Sequence, residues 1–347
     1  MPLSSDQAYS QLLDATRQTA LIESCVAVLG WDEQTYMPTG GAEHRSNQLS
    51  VLAGLAHDRA TSPRIGELLA ELERSPLTAD TGSPSAANLR EIRRDYDRAT
   101  RLPRRLVEEL SKTCSLGQQA WVAARKAQDF GQFLPWLEKI VALKREVAQA
   151  IGYGSGEPYD ALLDEFEPGM TAADVTKLFN ALRDDLVPLI AAIRESGKTP
   201  QREILTRRYP IDAQREFSLS AARAIGFNFD EGRLDIAHHP FCSGFGPGDC
   251  RLTTRYNEHH FPGAFFGTLH EAGHGMYEQG LDRAAYGSPL GQACSLAIHE
   301  SQSRMWENLV GRSRAFWNWL YPQAQAAFSE ALGRTALDDF YWAINDV

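Results

Sequence analysis

Between residues 9 and 196 apolar side chains return every three or four positions, and the pattern breaks only where glycine, proline, serine and threonine cluster. Each such stretch carries one apolar stripe at helical spacing, so a chain patterned this way over half its length must bury those stripes against other helices. The periodic stretches run over 9–29, 42–56, 65–73, 86–100, 104–128, 130–151 and 172–196, with breaks at 78–85, 152–158, 167–170 and 197–200. Thr171 stands where an N-cap belongs, with Asp174 in the first turn that follows.

The texture changes between residues 217 and 256. Glycine and proline crowd 239–248, and the β-forming run Arg251-Leu252-Thr253-Thr254-Arg255-Tyr256 predicts a short strand. Helical spacing resumes over 262–279, with Pro262 tolerated in a first turn, and over 296–310. No internal repeat or low-complexity tract interrupts this order. The expected architecture is mainly α, one domain over residues 1–347, with a small β-sheet beside the 262–279 helix.

Composition narrows the class. With 347 residues the chain can bury an extensive core without a metal or disulfide staple, so a metal here is expected to act rather than to hold the fold. A formal net charge of -10 argues against nucleic acid and against anionic membrane as partners. No window reaches the 18 to 20 apolar residues of a membrane span, and residues 1–24 lack the pattern of a signal peptide. The five cysteines are odd in number and scattered, which reads as reduced thiols in a cytoplasmic protein. Cys242 and Cys250 flank a glycine-rich turn where they could pair, but reduced thiols are the expectation.

The chemistry concentrates in His270-Glu271-Ala272-Gly273-His274. Positions four apart stack on one helix face, so two imidazoles can aim at one point, as a tetrahedral zinc site requires. Glu271 is rotated off that line, where a carboxylate can take a proton from water activated by the metal and pass it to a leaving amine. The competing reading is a core helix with two hydrogen-bonded histidines. Histidine is scarce, nine in the chain, and glycines at 273 and 275 weaken a helix by about 1 kcal/mol each, so the metal reading is preferred. A third ligand is sought in the 296–310 helix, where Glu300 and His299 compete because adjacent residues point about 100° apart; Glu307 lies two turns beyond Glu300 on the same face.

These residues resemble the carboxypeptidase Taq (M32) family of metallocarboxypeptidases. Besides His270 to His274, the stretch His299-Glu300-Ser301-Gln302-Ser303 is similar to family sequence. So are His239-Pro240-Phe241, Asp249-Cys250-Arg251-Leu252-Thr253, the run Trp31 to Pro38, and Tyr159 to Asp164. The resemblance implies that His270, His274 and Glu300 bind the metal and that Glu271 is the general base. It implies a large helical fold with a long substrate groove, a homodimer, and broad-specificity release of C-terminal amino acids from peptides with zinc, or cobalt or another divalent ion. Asp249 is then either an acceptor that orients a ligand imidazole or a cap of the turn after Gly248. Arg251 could hold a substrate carboxylate, His239 could contact substrate or the ligands, and His259-His260 reads as surface.

Family sequences continue beyond the position that corresponds to Val347, and two motifs, Ile-Arg-x-x-Ala-Asp and Gly-x-x-Gln-Asp-x-His-Trp, have no counterpart in this sequence. The first is where the resemblance places the arginine that grips the substrate carboxylate. The alternative expectation is therefore a short, catalytically impaired or silent protein that binds metal and peptides or partners. Phe340, Tyr341, Trp342 and Ile344 are expected to form an uncovered apolar end.

Overall fold

A computed structural model describes residues 3–346. The chain divides into two compact units, which are described separately. The first comprises residues 1–169 with 245–247 and 281–295; the second comprises 170–244, 248–280 and 296–347.

The first unit is helical: α1 (Ser5–Thr35), α2 (Ala42–Ala60), α3 (Pro63–Leu72), α4 (Pro84–Thr100), α5 (Arg104–Ala127), α6 (Leu134–Ile151) and the short α7 (Pro158–Leu163). The start of α1 is fixed by a capping box between Ser4 and Gln7, which satisfies two donors that a helix terminus leaves open. Leu12 of α1 packs against Ile65, Leu68, Leu69 and Leu72 of α3 and Leu89 and Ile92 of α4. A second cluster joins Leu106 of α5 to Leu143, Val147 and Ala148 of α6. Residues 281–295 pack onto the same helices, where Leu290 N–H donates to Asn88 Oδ1 at 3.2 Å.

The second unit opens with α8 (Ala172–Glu195), capped by Thr171 and Asp174 as the sequence suggests. No residue of α8 is buried; its apolar row, Leu178, Phe179, Leu182, Leu186 and Leu189, is exposed. Next come α9 (Ile211–Ile225) and three strands, β1 (Gly232–Ile236), β2 (Cys242–Gly246) and β3 (Asp249–Thr254), arranged β1-β3-β2. The β1 and β3 strands run parallel with Leu234 opposite Leu252. Helix α10 (Phe261–Gln279) follows, then α11 (Leu296–Arg304), which passes into a π-helical turn, Met305–Val310. The unit ends with α12 (Arg314–Ala327), α13 (Ser329–Leu332) and α14 (Leu337–Ile344).

Its core is aromatic. Phe261, Phe265 and Phe266 of α10 meet Trp317, Phe328 and Phe340, and the rings of Phe261 and Phe265 stack 5.2 Å apart. Burying one such ring stabilises by about 1.5–3 kcal/mol, so the N-terminal half of α10 is firmly anchored. The uncovered apolar end expected from the sequence is only partly present: Phe340 and Ile344 are buried in this core at 0% and 1% exposure, while Trp342 is 57% exposed. The reason is the helical period of α14, which sends 340, 343 and 344 inward and 342 outward.

Candidate metal centre

Helix α10 is buried along most of its length, and the residues that escape full burial include His270 and His274. Their imidazoles meet edge to face one turn apart, with ring centroids 4.9 Å from each other and planes at 80°. The helix lies against β3 on one side and against α11 and the π turn on another. Both glycines of the motif mark these contacts. A Cβ on Gly273 would stand 2.7 Å from Gln302 O and Ser303 Cα, and one on Gly275 would stand 2.5 Å from the Phe227 ring. The glycines are thus needed for packing, which allows the backbone of α11 to approach the histidines.

Each histidine has one ring nitrogen committed. His270 Nδ1–H donates to Glu307 Oε2 at 2.9 Å, and His274 Nδ1–H donates to the carbonyl of His299 at 3.1 Å. These acceptors fix the tautomer and turn both Nε2 lone pairs the same way. Glu300 Oε2 lies 3.7 Å from His270 Nε2 and 3.3 Å from His274 Nε2. His299, its competitor in sequence, is engaged elsewhere: its Nε2 bonds Glu278 Oε1 at 2.8 Å and its ring stacks on His274.

The donor set suits a dication. Two ligand atoms about 2.0–2.1 Å from a tetrahedral zinc lie about 3.4 Å apart, close to both Glu300 separations. A ligand-atom grouping within 4.8 Å also gathers His270, Glu271 and His274. The two carboxylates differ in environment. Glu271 is 5% exposed, and burial pushes its carboxyl up to about 7 despite the pull of His270. Glu300 is more open; the His270 charge and Arg304 outweigh its burial and hold it below the usual carboxylate range. Burial, with the charges of His299 and His270, pushes His274 down to about 4, so it is a neutral donor at neutral pH. For His270, burial pulls down, but Glu307 and the nearby carboxylates prevail and raise it. Of the two carboxylates beside the histidine pair, Glu300 is the more open and the more acidic, and Glu271 is buried with its carboxyl near neutrality.

The other residues singled out in the sequence sit on or near the sheet. Asp249 and Arg251 grip each other, with Nε to Oδ1 at 2.9 Å and a terminal nitrogen to Oδ2 at 2.7 Å. Asp249 thus holds an arginine, and the histidine Nδ1 atoms have other partners. His239 is exposed, its Nδ1 2.6 Å from the carbonyl of Pro240. The motifs that contain these residues meet in one clamp, where Phe241 N–H donates to Thr253 Oγ1 at 2.8 Å and Thr253 N–H to Phe241 O at 2.9 Å. Glu307 is the site residue whose contact the sequence reading leaves unstated. Its spacing from Glu300 was the available signal.

The sequence matches the family described as Carboxypeptidase Taq (M32) metallopeptidase over residues 11–347. It is 46% identical to thermostable carboxypeptidase 1 of Thermus thermophilus over 99% of this chain and 69% of that protein. It is 36% identical to carboxypeptidase 1 of Bacillus subtilis over 97% of this chain and 66% of that one. The crystal structure of an M32 carboxypeptidase from Deinococcus radiodurans R1 superposes with a TM-score of 0.86 at 41% identity, covering 98% of this chain and 67% of that one. The chain spans about two thirds of the length of these relatives. A histidine pair, two differently charged glutamates and a match along almost the whole sequence lead to one conclusion: this chain belongs to the carboxypeptidase Taq (M32) family of metallopeptidases, peptide-bond hydrolases of the metallocarboxypeptidase class.

Proposed function

We propose that the chain is a zinc-dependent carboxypeptidase that releases C-terminal amino acids from peptides with broad specificity. The observation that supports this most is the approach of both histidine Nε2 atoms to one Glu300 oxygen, with the buried Glu271 carboxyl beside them. In this reading His270, His274 and Glu300 hold the ion. A zinc ion in such a site supplies Lewis-acid polarisation of the scissile carbonyl and acidifies water. Glu271, poised near neutrality, accepts the proton of the attacking water and delivers it to the departing amine. Glu307 and the His299 carbonyl keep the two imidazoles in one tautomer and orientation. Asp249 sets the direction of the Arg251 guanidinium, and Arg251 and His239 are the groups assigned to the substrate side.

The test is hydrolysis of an N-blocked dipeptide by zinc-loaded protein, beside the same peptide amidated at its C-terminus and beside Glu271→Gln. Cleavage of the free acid alone, lost in the variant, is the expected result. Equal cleavage of acid and amide would replace exopeptidase action with general peptide hydrolysis. A folded, zinc-bound protein that cleaves neither would reject the proposal and leave a metal-binding protein without turnover.

A further inference from the structure

Two thiols meet beside the metal helix, and the metal site has no use for them. Cys242 opens β2 and Cys250 is the second residue of β3; their sulfurs are 3.5 Å apart. Cys250 is 3% exposed, packed with Phe227, Leu234, Leu252 and Ala272, and Cys242 packs half-buried against that cluster. The other cysteines, Cys25, Cys114 and Cys294, are exposed. A disulfide needs the sulfurs to close from 3.5 Å to about 2.05 Å, a shift of about 1.5 Å. We propose that Cys242 and Cys250 form a redox modification site, a dithiol that a peroxide converts to an intrachain disulfide across β2 and β3.

Exposure orders the steps. Cys242 is the less buried of the two and is assigned the first attack on the oxidant, and the buried Cys250 is assigned the resolving step. The Cys242 thiolate attacks one peroxide oxygen, the O–O bond breaks, and the other oxygen leaves as water, giving a sulfenic acid. Cys250 then attacks that sulfur; the S–S bond forms, the S–O bond breaks, and the hydroxyl leaves as water with the Cys250 proton. Two thiols and one peroxide become one disulfide and two waters, the thiols losing two electrons. The neighbouring Cys250, burial and the carboxylates of Glu271 and Glu278 push the Cys242 thiol well above its usual range, so the reactive thiolate is scarce and the reaction slow. Because Ala272 of α10 shares the cluster that holds Cys250, the bond would brace the sheet against which the metal helix packs.

The experiment uses the whole chain, both unmodified and as Cys25→Ser/Cys114→Ser/Cys294→Ser. Each is reduced, freed of reductant, treated with excess hydrogen peroxide while folded, then denatured, alkylated and mapped by mass spectrometry. The expected product is a Cys242–Cys250 linked peptide pair, lighter by two hydrogens and separated by dithiothreitol, with the triple variant losing both its remaining titratable thiols. In Cys250→Ser the link must vanish and Cys242 must advance to sulfinic or sulfonic acid. Recovery of both cysteines alkylated, or of sulfur oxyacids on both without a link, would overturn the proposal. Should the triple variant not fold, the map of the unmodified chain decides between the same outcomes.

Discussion

His270 Nδ1 and Glu307 Oε2 lie 2.9 Å apart, and neither side chain is more than 19% exposed. Glu307 comes from the π-helical turn after α11, so a widened turn holds the carboxylate that orients one histidine of the metal motif. His270 is raised and Glu307 lowered by this contact against the opposing effect of burial. A raised imidazole contributes stability that is complete below its unfolded value and is lost as pH rises through its folded one. A lowered carboxyl contributes stability present above its unfolded value and lost as pH falls through its folded one. For metal-free protein, Glu307→Gln should therefore lower the melting temperature most between about pH 4.5 and 6.5. The cost there should be about 1–3 kcal/mol, narrowing on both sides. Thermal denaturation across pH with chelator present checks this. Zinc affinity of the variant, measured by chelator competition, should fall about 10- to 100-fold.

Glu271→Gln should leave zinc bound and reduce turnover by about 10²- to 10⁴-fold. It should also stabilise. A carboxyl pushed up to about 7 by burial resists ionisation in the folded state, so the native protein loses stability as pH rises from about 4.5 to 7. An uncharged amide avoids this, and above pH 7 the metal-free variant should be more stable than the unmodified protein by about 1–3 kcal/mol and melt at a higher temperature. Calorimetry on chelator-treated samples would show it, and a variant that melts lower at pH 8 would contradict the assignment of burial as the cause.

Zinc should raise the melting temperature in proportion to the logarithm of its free concentration, as for any ligand that binds only the folded state. Glu300→Ala should remove most of that increment and also lower the metal-free melting temperature modestly above about pH 4.5, because His270 and Arg304 hold this carboxyl below its usual range. His299→Ala should keep more of it, since the His299 side chain faces Glu278. A series of melts at rising zinc separates the two.

Gly273→Ala places a methyl group against Gln302 O and Ser303 Cα, at a separation real contacts do not tolerate. Overpacking of this kind costs about 1–3 kcal/mol. Because the displaced backbone belongs to α11, the expected signature is a joint loss of stability and zinc affinity, although alanine is the better helix former by about 1 kcal/mol. Unchanged zinc affinity in a less stable protein would show that α11 moves without shifting Glu300.

The long helices were legible because each carries an unbroken apolar stripe: α1, α2, α4, α5 and α8 begin or end within a few residues of the periodic stretches. Helix α9 went unread, since it straddles the change of texture that begins at residue 217. Strand β1 was equally hidden. Leu234 and Asp235 are adjacent and both buried, so no alternation marks the strand, and its parallel partner is β3 rather than the next strand in sequence. At the site, helical geometry alone brought His270 and His274 together, and helix phase allowed only one of Glu300 and His299 to face them. The glycine-rich turn between Cys242 and Cys250 already allowed them to meet, whereas the contact of Glu307 depends on how elements pack, which residue spacing does not encode. Glycines 273 and 275, read in sequence as a functional oddity, have a steric cause that only the neighbouring backbone of α11 and the Phe227 ring reveal.

The burial of α10 has an engineering consequence. Ala264, Phe265, Thr268, Leu269, Ala272, Gly273 and Gly275 are all buried, so the stretch of α10 around the histidines has little room to vary. Helix α11 is different: Ile298, Ser301 and Arg304 face outward while Glu300 faces the imidazoles. Any effort to retune which ion this scaffold prefers, whether by directed evolution or by rational redesign, has its usable sequence space in α11 and the π turn, with α10 held constant.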